Sequence, residues 1–150
     1  MNIKNQKIVV IGGSSGIGFA VAKAALPYLK KSGSVTFYSG AYSQTPKTPG
    51  ASTAAAINSA IEGLSRALAV ELAPIRVNAL TPGIVDTEIY ATLGMDEVQR
   101  KTFFKEFSAA HQIIKRPATP AEVANAALYL MANTFATAST LFLDGGLTFR

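Results

Sequence analysis

The sequence predicts an α/β fold, a three-layer sandwich on a parallel sheet of about four strands, in one domain spanning residues 1–150. Three observations predict it. Short β-favouring apolar runs alternate with stretches of helical spacing, the pattern of strand–helix–strand units. The first run, Ile8-Val9-Val10-Ile11, leads into a glycine-rich turn at Gly12, Gly16 and Gly18 that opens a helix. The composition, 49% hydrophobic and 15% charged, is that of a globular chain. Its length is enough to bury roughly 70% of the unfolded surface.

The elements follow in order. Gly12 permits a sharp exit from the first strand, Gly16 lets the backbone approach a pyrophosphate, and Gly18 lets helix and sheet pack closely. The helix starts near Ser15 and runs toward Leu26, with Pro27 ending or kinking it. Lys30-Lys31-Ser32-Gly33 places cations and a glycine stop at its end. Ser34-Val35-Thr36-Phe37-Tyr38 is a second strand, followed by a turn-rich loop over 39–50. From 52 to 72 the apolar residues Ala56, Ile57, Ala60, Ile61, Leu64, Leu68 and Leu72 recur at helical spacing, until Pro74.

Ile75-Arg76-Val77-Asn78-Ala79-Leu80 is a third strand, ended by Thr81-Pro82-Gly83. A helix over about 96–110 has thin apolar content, Val98, Phe103, Phe104 and Phe107, and reads as a lid or partner-facing element. Thr119-Pro120-Ala121-Glu122 is a capping box that starts a helix burying Val123, Ala127, Leu128, Leu130 and Met131. The last strand, Thr140-Leu141-Phe142-Leu143, ends at Asp144-Gly145-Gly146. This alternation implies right-handed crossovers throughout.

Several function classes are disfavoured. Cysteine is absent, which removes disulfide and thiolate chemistry. No Cys, His or carboxylate cluster has metal-ligand spacing, so no metal is expected. The net charge of +5 is scattered, and without a basic helix face or aromatic platform it reads as solvated surface, not nucleic-acid binding. No window approaches the ~18 apolar residues of a membrane span. The stretch before the first strand leads into four apolar residues, too few for a signal-peptide core. A cytoplasmic protein with no membrane partner is the expectation.

The turn Gly12-Gly13-Ser14-Ser15-Gly16-Ile17-Gly18 resembles the first turn of the short-chain dehydrogenase/reductase family. Four further segments carry the resemblance. Gly33-Ser34-Val35-Thr36-Phe37-Tyr38-Ser39-Gly40 looks like that family's fifth strand, and Ile61-Glu62-Gly63-Leu64-Ser65-Arg66-Ala67-Leu68 like its long interface helix. Arg76-Val77-Asn78-Ala79-Leu80-Thr81-Pro82-Gly83 with Val85 and Thr87 looks like the sixth strand and the nicotinamide-side loop. Arg116-Pro117 through Glu122-Val123-Ala124, with Leu143-Asp144-Gly145-Gly146, resembles the usual C-terminal part. The resemblance implies a Rossmann-like fold, an NADP or NAD cofactor and a tetramer-building pair of helices.

Two departures decide the expectation. The chain passes from the first crossover helix almost directly into the family's fifth strand. Strands two to four are missing, and with them half of the adenine site. Strand one then pairs with strand five or leaves a gap, and exposed surface on both argues for self-association.

The second departure is chemical. The resemblance calls for a serine that polarises the carbonyl, a tyrosine that transfers the proton, and a lysine that lowers its pKa and holds the ribose. The tyrosine position falls at Ala54 and the lysine position at Asn58, neither able to do acid–base work. The serine position falls at Gly40 or, one residue earlier, at Ser39, the one catalytic candidate.

The cofactor positions that survive are Gly12, Ser14, Ser15, Gly16, Ile17 and Gly18, then Asn58, Pro82, Gly83, Val85 and Thr87. The expectation is therefore a catalytically degenerate oxidoreductase relic with weak or vestigial NADP or NAD binding. It forms a homo-oligomer through the helices over 52–72 and 120–132 and the last strand. One alternative is a divergent carbonyl reductase using Ser39 or Tyr42, and another is a non-catalytic assembly module. A further reading is that two parts of a longer protein stand joined here, which an intact mass above 15.7 kDa would reveal. His111 reads as an ordinary surface histidine, and Asp86 and Glu88 as turn and cap residues.

Overall fold

The computed structural model describes residues 8–12, 20, 23–46 and 49–149. Four parallel strands, β1 (Ile8–Gly12), β2 (Ser34–Tyr38), β3 (Arg76–Pro82) and β4 (Thr140–Leu143), lie side by side in chain order. Helices α1 (Ser52–Glu71), α2 (Ile89–Thr92), α3 (Glu97–His111) and α4 (Pro120–Ala132) connect and cover them. No gap separates the first two strands, since Ile8 pairs with Ser34 and Gly12 with Tyr38. The surface expected on the family's fifth strand is not there: β2 is hydrogen-bonded on both edges, and Ser34–Phe37 are buried.

Strand alternation sorts the core onto two faces. Val35, Phe37 and Val77 pack with Leu68 and Ala69 of α1, and Leu29 joins them from the preceding turn. Leu80, with Tyr38, Leu141 and Leu143, packs on the other face against Ala127 and Leu130 of α4. Both α1 and α4 lead to the next strand in the same direction across the sheet, yet they lie on opposite faces. The two return paths therefore have opposite hands, which corrects the expectation of uniform right-handed crossovers. The rule rests on one helix packing straight back after one strand. Between β3 and β4 the chain instead makes α2 and α3 before α4, which frees its path.

Three expectations shift locally. Pro27 enters a 3-10 turn, Leu26–Tyr28, because its fixed φ and missing N–H suit a first helical turn. The buried stripe of α1 is Glu62, Ser65, Leu68 and Ala69, while Ala56 and Ala60 are exposed. Helix α3 is not a free lid: Phe104, 4% exposed, and Ser108 anchor one face. Its start is fixed by a capping box in which Asp96 accepts from the Gln99 N–H at 2.8 Å and Gln99 answers at 3.0 Å.

Candidate functional site at the carboxyl ends of the strands

β2 and β3 end side by side, and the chain leaves each through a residue that admits close approach. The Ser39 N–H donates to Leu80 O at 2.9 Å, and the Gly83 N–H donates to Leu143 O at 3.0 Å. A Cβ on Gly83 would meet Asp144 Cα at 2.8 Å, so only glycine lets the β3 exit lie against the β4 exit. Asp144 is itself buried, its carboxylate accepting from the Gly146 and Thr148 N–H groups at 2.9 Å each. Gly145 and Gly146 take positive φ, +61° and +79°, to make that turn.

Of the expected serine, tyrosine and lysine positions, Gly40 and Asn58 come together, and Ala54 lies one helical turn before Asn58 on α1. A Cβ on Gly40 would lie 2.9 Å from Asn58 Nδ2, so a serine side chain there would require the asparagine amide to shift. Ala54 presents only a methyl group, on the exposed side of α1. Ser39 Oγ turns beneath the helix, donating toward Asn58 O at 3.1 Å and Glu62 Oε1 at 3.2 Å.

Glu62 is the hub of this corner, and sequence reasoning missed it. It is 4% exposed, on the buried stripe of α1. Its carboxylate accepts from Ser39, from Ser43 Oγ at 2.5 Å, from Thr81 Oγ1 at 3.3 Å and from Gln44 Nε2 at 3.2 Å. The loop after β2, the end of β3 and α1 are thus tied to one anion by neutral donors. The available signal was its spacing: Glu62, Ser65 and Ala69 fall on one helix face.

Two cavities open on either side of Gly83 and Tyr90, which line both. One, about 410 Å³, is lined by Tyr38, Val85, Thr87 and Val123. The other, about 290 Å³, is lined by Gly40, Tyr42, Phe103 and Phe107. Aromatic rings build its wall: Tyr90 meets Phe104 edge-on at 4.9 Å and Phe103 at 5.6 Å, and Phe103 lies 5.6 Å from Phe107. Burial, followed by Tyr42 and Asp86, pushes the Tyr90 hydroxyl above its ordinary pKa, which keeps it a proton-bearing donor. Burial does the same to Tyr38.

Asp86 and Glu88 prove to be more than turn residues. Arg100 of α3 reaches both, at 3.6 Å and 3.5 Å, and holds the loop after β3 against that helix. His111 lies against the Phe107 ring at 4.7 Å, a packing role. Among the described residues no group of His, Cys, Asp or Glu could hold a metal ion. Gly12 closes β1 beside Tyr38. Ser14, Ser15, Gly16, Ile17 and Gly18 lie outside the described residues.

Known proteins share this fold. Residues 14–148 match the family model described as enoyl-(acyl carrier protein) reductase. The short-chain dehydrogenase/reductase ATR9 of Stachybotrys chlorohalonatus is 35% identical over 115 residues, covering 75% of this chain and 43% of that protein. Sorbose reductase sou1 of Schizosaccharomyces pombe is 42% identical over 94 residues, covering 61% of this chain and 34% of that protein. A crystal structure of a small-chain dehydrogenase in complex with NADPH superposes with a TM-score of 0.81 at 35% identity, covering 89% of this chain and 60% of that one. The chain thus spans less than half the length of these two curated relatives.

Proposed function

Because the chain belongs to the short-chain dehydrogenase/reductase family, we propose that it is an oxidoreductase-type domain that keeps the nicotinamide side of a dinucleotide site and has lost proton transfer. The observation that carries this reading is that Ala54 and Asn58 stand at the tyrosine and lysine positions of α1, with Asn58 Nδ2 2.9 Å from where a Gly40 side chain would begin. Ser39, the remaining hydroxyl, is held by Asn58 O and Glu62. Nothing at Ala54 can carry a proton.

The cofactor side fits better. The cavity of about 410 Å³ that Gly83, Val85 and Thr87 line has room for a nicotinamide ring, and Pro82 leads the chain into it. When bound, such a dinucleotide would supply or accept hydride. Pro82, Gly83, Val85 and Thr87 would shape its pocket, Asn58 would stand where the ribose is held, and Gly12 with Ser14, Ser15, Gly16, Ile17 and Gly18 would cradle the pyrophosphate. With half of the adenine site missing, NADP or NAD binds weakly.

Calorimetric titration with NADPH and NADH at matched ionic strength is the test. The expected result is at most millimolar affinity, with no carbonyl-dependent oxidation of either cofactor. Micromolar affinity with turnover that disappears in Ser39→Ala or Tyr42→Phe would overturn it in favour of a divergent reductase. Tyr42 lines the cavity beside Gly40, the observation that favours this second reading.

The same reading makes the chain one folding unit that associates with itself through α1, α4 and β4. Each carries an exposed apolar side chain: Val70 at 78% exposure, Tyr129 at 49% and Phe142 at 37%. No described helix is long and apolar enough to cross a membrane. We place the protein in the cytoplasm.

A further inference from the structure

At the opposite end of the sheet, where β2 and β3 begin, lies a cavity of about 380 Å³ lined by Lys31, Ser32, Pro74, Arg76 and Thr134. Two of these residues are cations, two carry hydroxyls, and none of the described lining residues is acidic. Arg76 is built in: it is 8% exposed, its backbone N–H donates to Gly33 O at 3.1 Å, and it pairs in register with Ser34. Its guanidinium donates to Leu130 O at 2.8 Å, Ala136 O at 2.9 Å and Met131 O at 2.7 Å, closing the end of α4.

Those three bonds use three of the five N–H donors of an arginine. The acceptors are neutral carbonyls, which orient the fork but supply no carboxylate counter-ion. The ion pairs among the described residues involve Arg100, Lys101 and Arg116, not Arg76. Burial also pulls the Arg76 pKa down, the sign of a desolvated cation. A buried cation that meets carbonyl dipoles but no carboxylate among the described residues, beside a second cation and two hydroxyls, is a donor set that oxyanions select.

We propose that this cavity binds a small phosphate-type oxyanion, such as a pyrophosphate or a phosphate monoester, at the amino end of the sheet. The site is independent of the crevice at Gly83, because dinucleotides of α/β sheets lie at the carboxyl ends of the strands. Arg76 supplies the two unspent fork donors, and Lys31 closes the charge from the turn before β2. Ser32 and Thr134 add hydroxyl donors from the two sides.

The test is an amide-resolved NMR titration with inorganic pyrophosphate, run against sodium chloride at matched ionic strength, on wild type and Lys31→Glu. Lys31 is exposed, so this variant leaves the fold intact. Saturable shifts at Ser32, Gly33 and Thr134, weakened about ten-fold or more in Lys31→Glu, support the site. Shifts confined to residues 12–18 would overturn it while locating the anion in the glycine turn, a result separate from the cofactor reading. Shifts that chloride reproduces, or that Lys31→Glu leaves unchanged, would also overturn it.

Discussion

Glu62 concentrates more of this molecule than any residue singled out by the sequence. A carboxylate that is 4% exposed survives burial because four donors from two segments, the loop after β2 and the end of β3, converge on it. Replacing it by leucine leaves those donors unanswered. Ser39, Ser43 and Gln44 can turn to water, but Thr81 is buried. Glu62→Leu is therefore expected to cost about 3 kcal/mol, read from urea unfolding, and Glu62→Gln less, because one acceptor oxygen remains. Gly83 makes the opposite demand, for emptiness. Gly83→Ala sets a methyl 2.8 Å from Asp144 Cα and 3.0 Å from its carbonyl oxygen, and the expected loss is about 1–3 kcal/mol with the same readout. The glycine was legible from its place after Pro82. Glu62 was not, because one carboxylate in a helix reads as surface until the face it shares with Ser65 and Ala69 is known to be the inner one.

Helices and strands were legible to within a residue or two where local chemistry marks their ends. The box at Thr119 forms as read: Glu122 Oε2 accepts from the Thr119 N–H at 2.8 Å and Thr119 Oγ1 accepts from the Glu122 N–H at 3.3 Å. Thr119→Ala should cost about 1 kcal/mol by thermal unfolding. Arg116 extends the motif, donating to Glu122 at 2.7 Å and 3.0 Å. Chiefly through Arg116, and then Thr119, the Glu122 carboxyl is held down at about 2 against an ordinary value of 4.5. A depressed pKa stabilises the fold fully above the ordinary value, and the contribution disappears as pH falls through the folded one. The Tm gap between wild type and Glu122→Gln should thus hold steady down to pH 4.5 and close by pH 2. Helix α2 went unread because Ile89–Thr92 is one turn, fixed by tertiary contacts of Tyr90 and by Arg100 on Glu88, not by a periodic pattern.

For the whole molecule, alternation of strands and helices sufficed for the fold class and for the four strands of the sheet among the described residues. It could not supply the handedness of the return from β3 to β4, since that depends on which face α4 covers, a fact held in the pairing of Tyr38 with Leu80 and of Leu80 with Leu141. The serine, tyrosine and lysine positions were legible by alignment, but the close approach of Asn58 to Gly40 was a matter of packing. Sedimentation velocity on the purified chain should show a dimer or larger species, and Phe142→Asp on β4 should shift it toward monomer. The strand order has a consequence for how the chain is made. Each new strand docks beside the one synthesised just before it, and none must wedge between two already in place. A nascent chain leaving the ribosome can therefore lay down the sheet progressively, from β1 to β4, without reopening what it has already built.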